Sequence, residues 1–301
     1  MRQQPRAHAE PGAPGTPQTG PGQQDPRQEG TGQSGTKQPG AASLSLIPAA
    51  LVSASGFLLF AWQDRLSGFL LLAAALVVAG FVSRRLLIDL ALIAVGLTAM
   101  SLVPITTDIS TEHMMVMGTA MILAVGIPYS VSRFITKDHA IRFPIRTGQP
   151  WTRAEKWYLP AVLVIGYALM PVYMIRTGVY TNWPAVSDPD GIARLFLGTN
   201  VLGIWDELFF ICTAFTLLRR HLPDWQANLL QAVLFTSFLW ELGFHSWAPF
   251  FIFPFALLQA RLFTVTKSLS YIVSVHLLFD FVLFLVLIHS HNREWINIFL
   301  Y

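Results

Sequence analysis

From residue 44 onward the chain alternates between apolar runs of roughly 17 to 25 residues and short polar interruptions, each run long enough to cross a bilayer as a helix. The pattern predicts helical spans over 44–62, 67–83, 86–103, 114–132, 157–176, 195–218, 228–247, 249–265 and 269–289. Pro249 and Pro254 interrupt the pair 228–247 and 249–265, which leaves room for one span plus a re-entrant piece. The expected fold is therefore all-α: a polytopic transmembrane helical bundle of eight or nine spans.

The polar interruptions alternate in charge. Arg84 and Arg85 follow the second span, and the loop 133–156 carries Arg133, Lys137, Arg142, Arg146, Arg153 and Lys156. Arg219 and Arg220 end the sixth span, while Arg261 and Lys267 bracket the turn before the last. The alternate loops instead carry Asp108 and Glu112, or Asp188 and Asp190. By the positive-inside rule the N-terminus and the basic loops are cytoplasmic, and with nine spans the C-terminus lies outside. Only 12% of residues are charged and the mean hydropathy is +0.50, well below the charge content of a soluble domain. The formal net charge of +3 reads as this leaflet bias and not as nucleic-acid binding.

Residues 1–40 are different material. They hold seven prolines, eight glycines and eight glutamines and almost nothing able to form a core, so they read as a disordered cytoplasmic tail. No apolar stretch in them resembles a signal peptide. The remainder divides, as an organisational split, into scaffold helices over 41–156 and a region 157–301 that carries the chemistry.

That chemistry rests on ionisable groups placed where hydrocarbon makes them costly. Asp206 and Glu207 lie mid-span in VLGIWDELFFICTAF, about ten residues from either end. Neighbouring residues on a helix point about 100° apart, so one acid is expected to face a cavity and the other to support it. Asn200 and Gly203 share the face of Glu207 and are expected to offer a hydrogen bond and close helix approach. Glu241 and His245 follow at a spacing of four, as do His276 and Asp280, each pair expected to meet on one helical face. His289 and His291, at the exit of the last span, read as surface groups.

Two histidines and several carboxylates from three helices suit either of two chemistries. They can hold Zn²⁺ and activate its water. Alternatively an acid and a histidine can deprotonate water directly while other polar groups hold an oxyanion. No His-Glu-x2-His motif occurs. Cys212 is the only cysteine, so zinc sites needing two cysteine ligands are excluded, and it reads as a small buried hydrophobe.

The order of these stations resembles the CAAX-protease and bacteriocin-processing (CPBP, or Abi) family of intramembrane proteases, over residues 196–285. That family's pattern is Glu-Glu-x3-Arg, then Phe-x3-His, then His-x3-Asn or His-x3-Asp. Here the stations are Asp206-Glu207, Glu241-x3-His245 and His276-x3-Asp280. Asp206 takes the first glutamate position, Ile211 stands where the family has arginine, and Glu241 stands where it has phenylalanine. The resemblance implies that Asp206 and His245 activate water, that Glu207 supports them, and that His276 and Asp280 lie on the oxyanion side. Glu207 or Glu241 is the stand-in base if Asp206 is too short. It implies no metal and no cofactor.

The expected function is hydrolysis of peptide bonds in a membrane-anchored or lipidated polypeptide, by a multi-pass protein of a bacterial plasma membrane. A proton-coupled transporter is the competing reading, since midplane acids and histidines also form proton relays. An inactive, scaffolding relative of the proteases is the third. The expected partners are the lipid bilayer and the substrate polypeptide; oligomeric state is not legible.

Overall fold

A computed structural model describes residues 39–145, 148, 150–295 and 297–299, and the expected disordered tail lies outside these apart from its last two residues. Nine helical rods account for the fold, with no strand among the described residues. They are α1 (Pro39–Gly56, continuing as a π-helix over Phe57–Ala61), α2 (Arg65–Val82), α3 (Arg84–Ser101), α4 (Thr111–Ser130, continuing as a π-helix over Val131–Ile135) and α5 (Arg153–Thr177). Then come α6 (Pro189–Asp206), which runs on through a π-helical stretch Glu207–Phe215 to Leu218, and α7 (Asp224–Leu242), α8 (Pro249–Thr266) and α9 (Leu269–His291). Every expected span is present as a helix.

Local chemistry fixes most of the starts. Asp64, Ser83, Ser110, Thr152, Asp188 and Ser268 each precede a helix and accept a hydrogen bond from its first turn, which satisfies an otherwise orphaned N–H. Thr152 and Glu155 form a reciprocal capping box.

Seven of the rods are long and apolar enough to cross a membrane: those over 44–61, 65–82, 111–135, 153–177, 189–218, 249–266 and 269–291. The other two are more polar. α3 carries Arg84, Arg85 and Asp89, and α7 carries Asp224, Gln226, Asn228, Gln231 and Glu241. Both are nevertheless continuous helices of similar length to the others, and Pro249 starts a helix separate from α7.

The two ends of the bundle are tied by different bonds. At the basic end Arg220 bridges Asp89 (2.9 Å) and Asp138 (2.8 Å), His221 sits 2.6 Å from Asp89, and the Leu269 N–H donates to the Pro144 carbonyl. At the opposite end the Thr107 hydroxyl donates to the Asn182 carbonyl, and the Asn182 amide donates to Gly243 at 2.8 Å. The Tyr173 hydroxyl donates to the His245 carbonyl at 2.7 Å, and the Asn292 amide to Val186 at 2.8 Å. Burial from water does little to hold helices together inside a bilayer. Packing and these polar ties therefore set the arrangement.

Candidate functional site

Asp206 is the last residue of regular α6 and Glu207 the first of the π-helical stretch. A π-helix bonds i to i+5 and is rare, and such stretches are frequent at functional positions. Two threonine hydroxyls answer it here: Thr213 donates to the Leu208 carbonyl (2.9 Å) and Thr216 to Ile211 (3.2 Å). Both acids are almost wholly buried.

His276 of α9 reaches across to both. Its Nδ1–H donates to Glu207 Oε1 at 2.8 Å, while its Nε2 lies 3.9 Å from Asp206 Oδ2 and 3.8 Å from Asp280 Oδ1. The first contact fixes the proton on Nδ1 and the orientation of the ring. The other two exceed a direct hydrogen bond and are close charge contacts on the cavity floor. Phe235 and Phe255 pack around the imidazole, with ring centroids 6.0 and 5.2 Å away.

A residue with no counterpart in the sequence reading completes the site. Gln259 of α8 donates to Glu207 Oε1 at 2.6 Å and to the Ile272 carbonyl at 3.1 Å. Glu207 is thus held from behind by a buried amide and from the front by His276. A lone glutamine in an apolar run carries no charge signal, and only its burial cost marked it.

Asp206, His276 and Asp280 line a cavity of about 230 Å³ that Glu207 does not reach. The division expected of adjacent acids, one facing a cavity and one supporting, is seen here: Asp206 faces the cavity and Glu207 stands behind. Gly203 makes the crossing of α6 and α9 possible. A Cβ there would lie 2.0 Å from Asp280 Oδ2 and 3.2 Å from His276 Cδ2. Asn200 does not serve Glu207, because its amide is spent on the Phe196 carbonyl one turn back.

The cavity opens toward the end of the bundle away from the basic loops, where Thr106, Asp108, His113 and Trp183 form its mouth. Its sides are Met114, Met117 and Met121 of α4 facing Leu197, Val201 and Leu202 of α6. Lower down, Trp205 Nε1 donates to the Met121 carbonyl at 2.9 Å and closes the gap between these helices.

The second station is placed differently from its sequence reading. Helix α7 ends at Leu242, and Gly243 turns the chain with φ +125°, a conformation that side-chain-bearing residues rarely adopt. Glu241 and His245 therefore do not share a helical face. His245 is exposed in the turn, its ring against Trp240, and Glu241 interacts with Arg65 at the start of α2. Neither lines the cavity. At the level of His276, α7 presents Phe235, whose ring packs on the imidazole, and Leu239, which lines the cavity. The Phe-x3-His spacing, read at that level, is Phe235-x3-Leu239.

Three smaller placements complete the picture. Cys212 is buried and unpaired by disulfide. His289, expected at the surface, is buried with its ring 5.4 Å from Phe299, and His291 packs against Tyr180. The residues Ser132, Asp138 and Arg220 form a second polar cluster at the basic end. Partial burial would raise the Asp138 carboxyl, but hydrogen bonds from the Ala140 N–H and the Ser132 hydroxyl, with the Arg220 guanidinium, bring it down to about 2. Among the described residues no group of three or more His, Cys, Asp or Glu side chains is arranged to hold a metal ion.

Residues 189–282 match the sequence model of a family described as type II CAAX prenyl endopeptidase Rce1-like. The matched stretch begins at α6 and ends within α9, so it contains Asp206, Glu207, Gln259, His276 and Asp280. No curated protein and no solved structure matches the chain.

Proposed function

We propose that the stretch similar to CAAX prenyl endopeptidases builds a hydrolytic site for peptide bonds of a membrane-anchored or lipidated polypeptide. The observation that carries this reading is His276, fixed by Glu207 on one nitrogen and, with the other, set 3.9 Å from Asp206 and 3.8 Å from Asp280 on the floor of the cavity. Asp206 is the base. A water in the cavity beside Asp206 and His276 gives one proton to Asp206 as its oxygen attacks the carbonyl carbon. The tetrahedral oxygen takes a hydrogen bond from His276 Nε2–H, with Asp280 supporting the imidazolium. As the C–N bond breaks, the proton on Asp206 passes to the leaving amine. Glu207 and Gln259 are positioning residues. His245 and Glu241 have no step in this scheme.

With the basic loops cytoplasmic, the N-terminus is cytoplasmic and the cavity opens on the outer side of a bacterial plasma membrane. Cleavage of a lipid-anchored peptide by the purified protein in liposomes tests the reading, with His276→Ala as the control that must be silent.

One observation favours a second reading. Leu239 puts an apolar side chain where α7 passes the site, and Ile211 brings no arginine. A relative that binds polypeptide or lipid in the same cavity without hydrolysing it would need neither. That reading predicts unaltered binding and no cleavage in the same liposome experiment.

A further inference from the structure

We infer that the cavity above Asp206 takes an apolar molecule with a cationic, hydrogen-bond-donating head, of which a primary amine is the simplest. The inference rests on reading this cavity as the substrate site and adds the chemical class of what enters it.

The first ground is charge. Asp206 and Asp280 form the floor with His276, Glu207 stands directly behind, and Asp108 lies at the mouth with His113 beside it. Among the described residues no lysine or arginine lines the cavity. Three carboxyl groups thus share one imidazole, and Ile211 contributes no guanidinium. A carboxylate head would add a further negative charge to this set, and an ammonium would offset it.

The second ground is unspent hydrogen-bonding capacity. Asp206 is 1% exposed and Asp280 9%, yet Asp206 Oδ1 and Asp280 Oδ2 have no partner. A buried acceptor without a donor is costly, and one left so beside an open cavity is placed to receive a ligand's N–H groups. An ammonium has three such donors on one atom.

The third ground is shape. The walls are apolar side chains of α4 and α6, and the methionines among them adapt to irregular ligands. Gly118 of α4 and Gly198 of α6 both line the cavity, and a Cβ on either would meet nothing within 4 Å. An apolar tail can therefore lie between α4 and α6, toward the lipid, while its head reaches Asp206.

The test is saturable binding of radiolabelled octylamine to the protein in zwitterionic nanodiscs at pH 7, with empty nanodiscs subtracted and octanoate and octanol as competitors. We expect one amine per chain, octanoate without effect, and octanol weaker by about tenfold or more. The double variant Asp206→Asn, Asp280→Asn should lose about tenfold or more in affinity. Gly118→Phe, which fills open space and leaves the acids intact, should abolish binding. Octanoate or octanol competing as well as the amine, undiminished affinity in both variants, or no saturable binding would each overturn the inference. Turnover is not needed for this readout. Loss of peptide cleavage with intact amine preference would sink the hydrolase reading alone, and cleavage without amine preference would sink this one alone.

Discussion

Glu207 Oε1 accepts the His276 Nδ1–H at 2.8 Å, and this bond joins the mid-span acid of α6 to the histidine of α9 across the centre of the bundle. It decides which nitrogen of His276 faces the cavity. Every role assigned to Asp206 and Asp280 depends on that orientation.

The two histidines read from the sequence should therefore behave in opposite ways. His276→Ala is expected to abolish peptide hydrolysis while the protein remains extractable and folded. His245→Ala, which removes an exposed ring, should leave the rate within about twofold and stability within about 0.5 kcal/mol. Side-by-side initial rates check this, and the reverse ranking would restore His245 to the site.

Gln259 gives a positioning test. Gln259→Leu deletes the donor 2.6 Å from Glu207 Oε1 and leaves His276 as that oxygen's partner. A lost hydrogen bond to a charged group costs about 1.5–3 kcal/mol, so kcat should fall by about tenfold to a hundredfold with KM little changed. A change in KM alone would mean that Gln259 shapes the cavity and not the acid.

Gly203 tests the crossing itself. In Gly203→Ala the new methyl would fall 2.0 Å from Asp280 Oδ2, so the Asp280 carboxylate must swing out of the site or α6 and α9 must part. Overpacking of this kind costs about 1–3 kcal/mol. A lower thermal midpoint in detergent together with lost activity is expected, and unchanged values of both would show that the helices do not approach so closely.

Much of this arrangement was legible because charge is conspicuous in hydrocarbon. Asp206, Glu207, His276 and Asp280 stood out from apolar runs, and the helices that carry them lie where hydropathy places them. Glu241 and His245 misled for a physical reason. Their spacing of four suits a helix, but Gly243 lies between them and Pro249 follows closely, and together these end α7 before His245 is reached. Gln259 carried no charge, Leu239 was one apolar residue among many, and the π-helical register at 207–215 leaves no pattern in composition. His289 was placed by its neighbours in sequence, whereas Phe299, from the chain beyond α9, covers it in space.

The basic end offers a pH test independent of the site. Asp138 is held at about 2, below its ordinary 3.8, so its stabilising contribution is complete above about pH 4 and is lost as pH falls toward 2. Asp138→Asn should lower the thermal midpoint at pH 7 and flatten its decline between about pH 4 and 2. A variant whose acid-side slope equals that of the parent would show that Arg220 and Ser132 do not hold this carboxylate.

The most direct test of the site is mass-spectrometric detection of new peptide termini when the purified protein, in liposomes, meets a lipid-anchored peptide library. The account predicts cleavage by the parent chain, a loss of about a hundredfold or more in Asp206→Asn, and a smaller loss in Glu207→Gln, whose amide oxygen still accepts from His276. Absence of cleavage by the parent, or equal cleavage by Asp206→Asn, would contradict a hydrolytic role for this cavity.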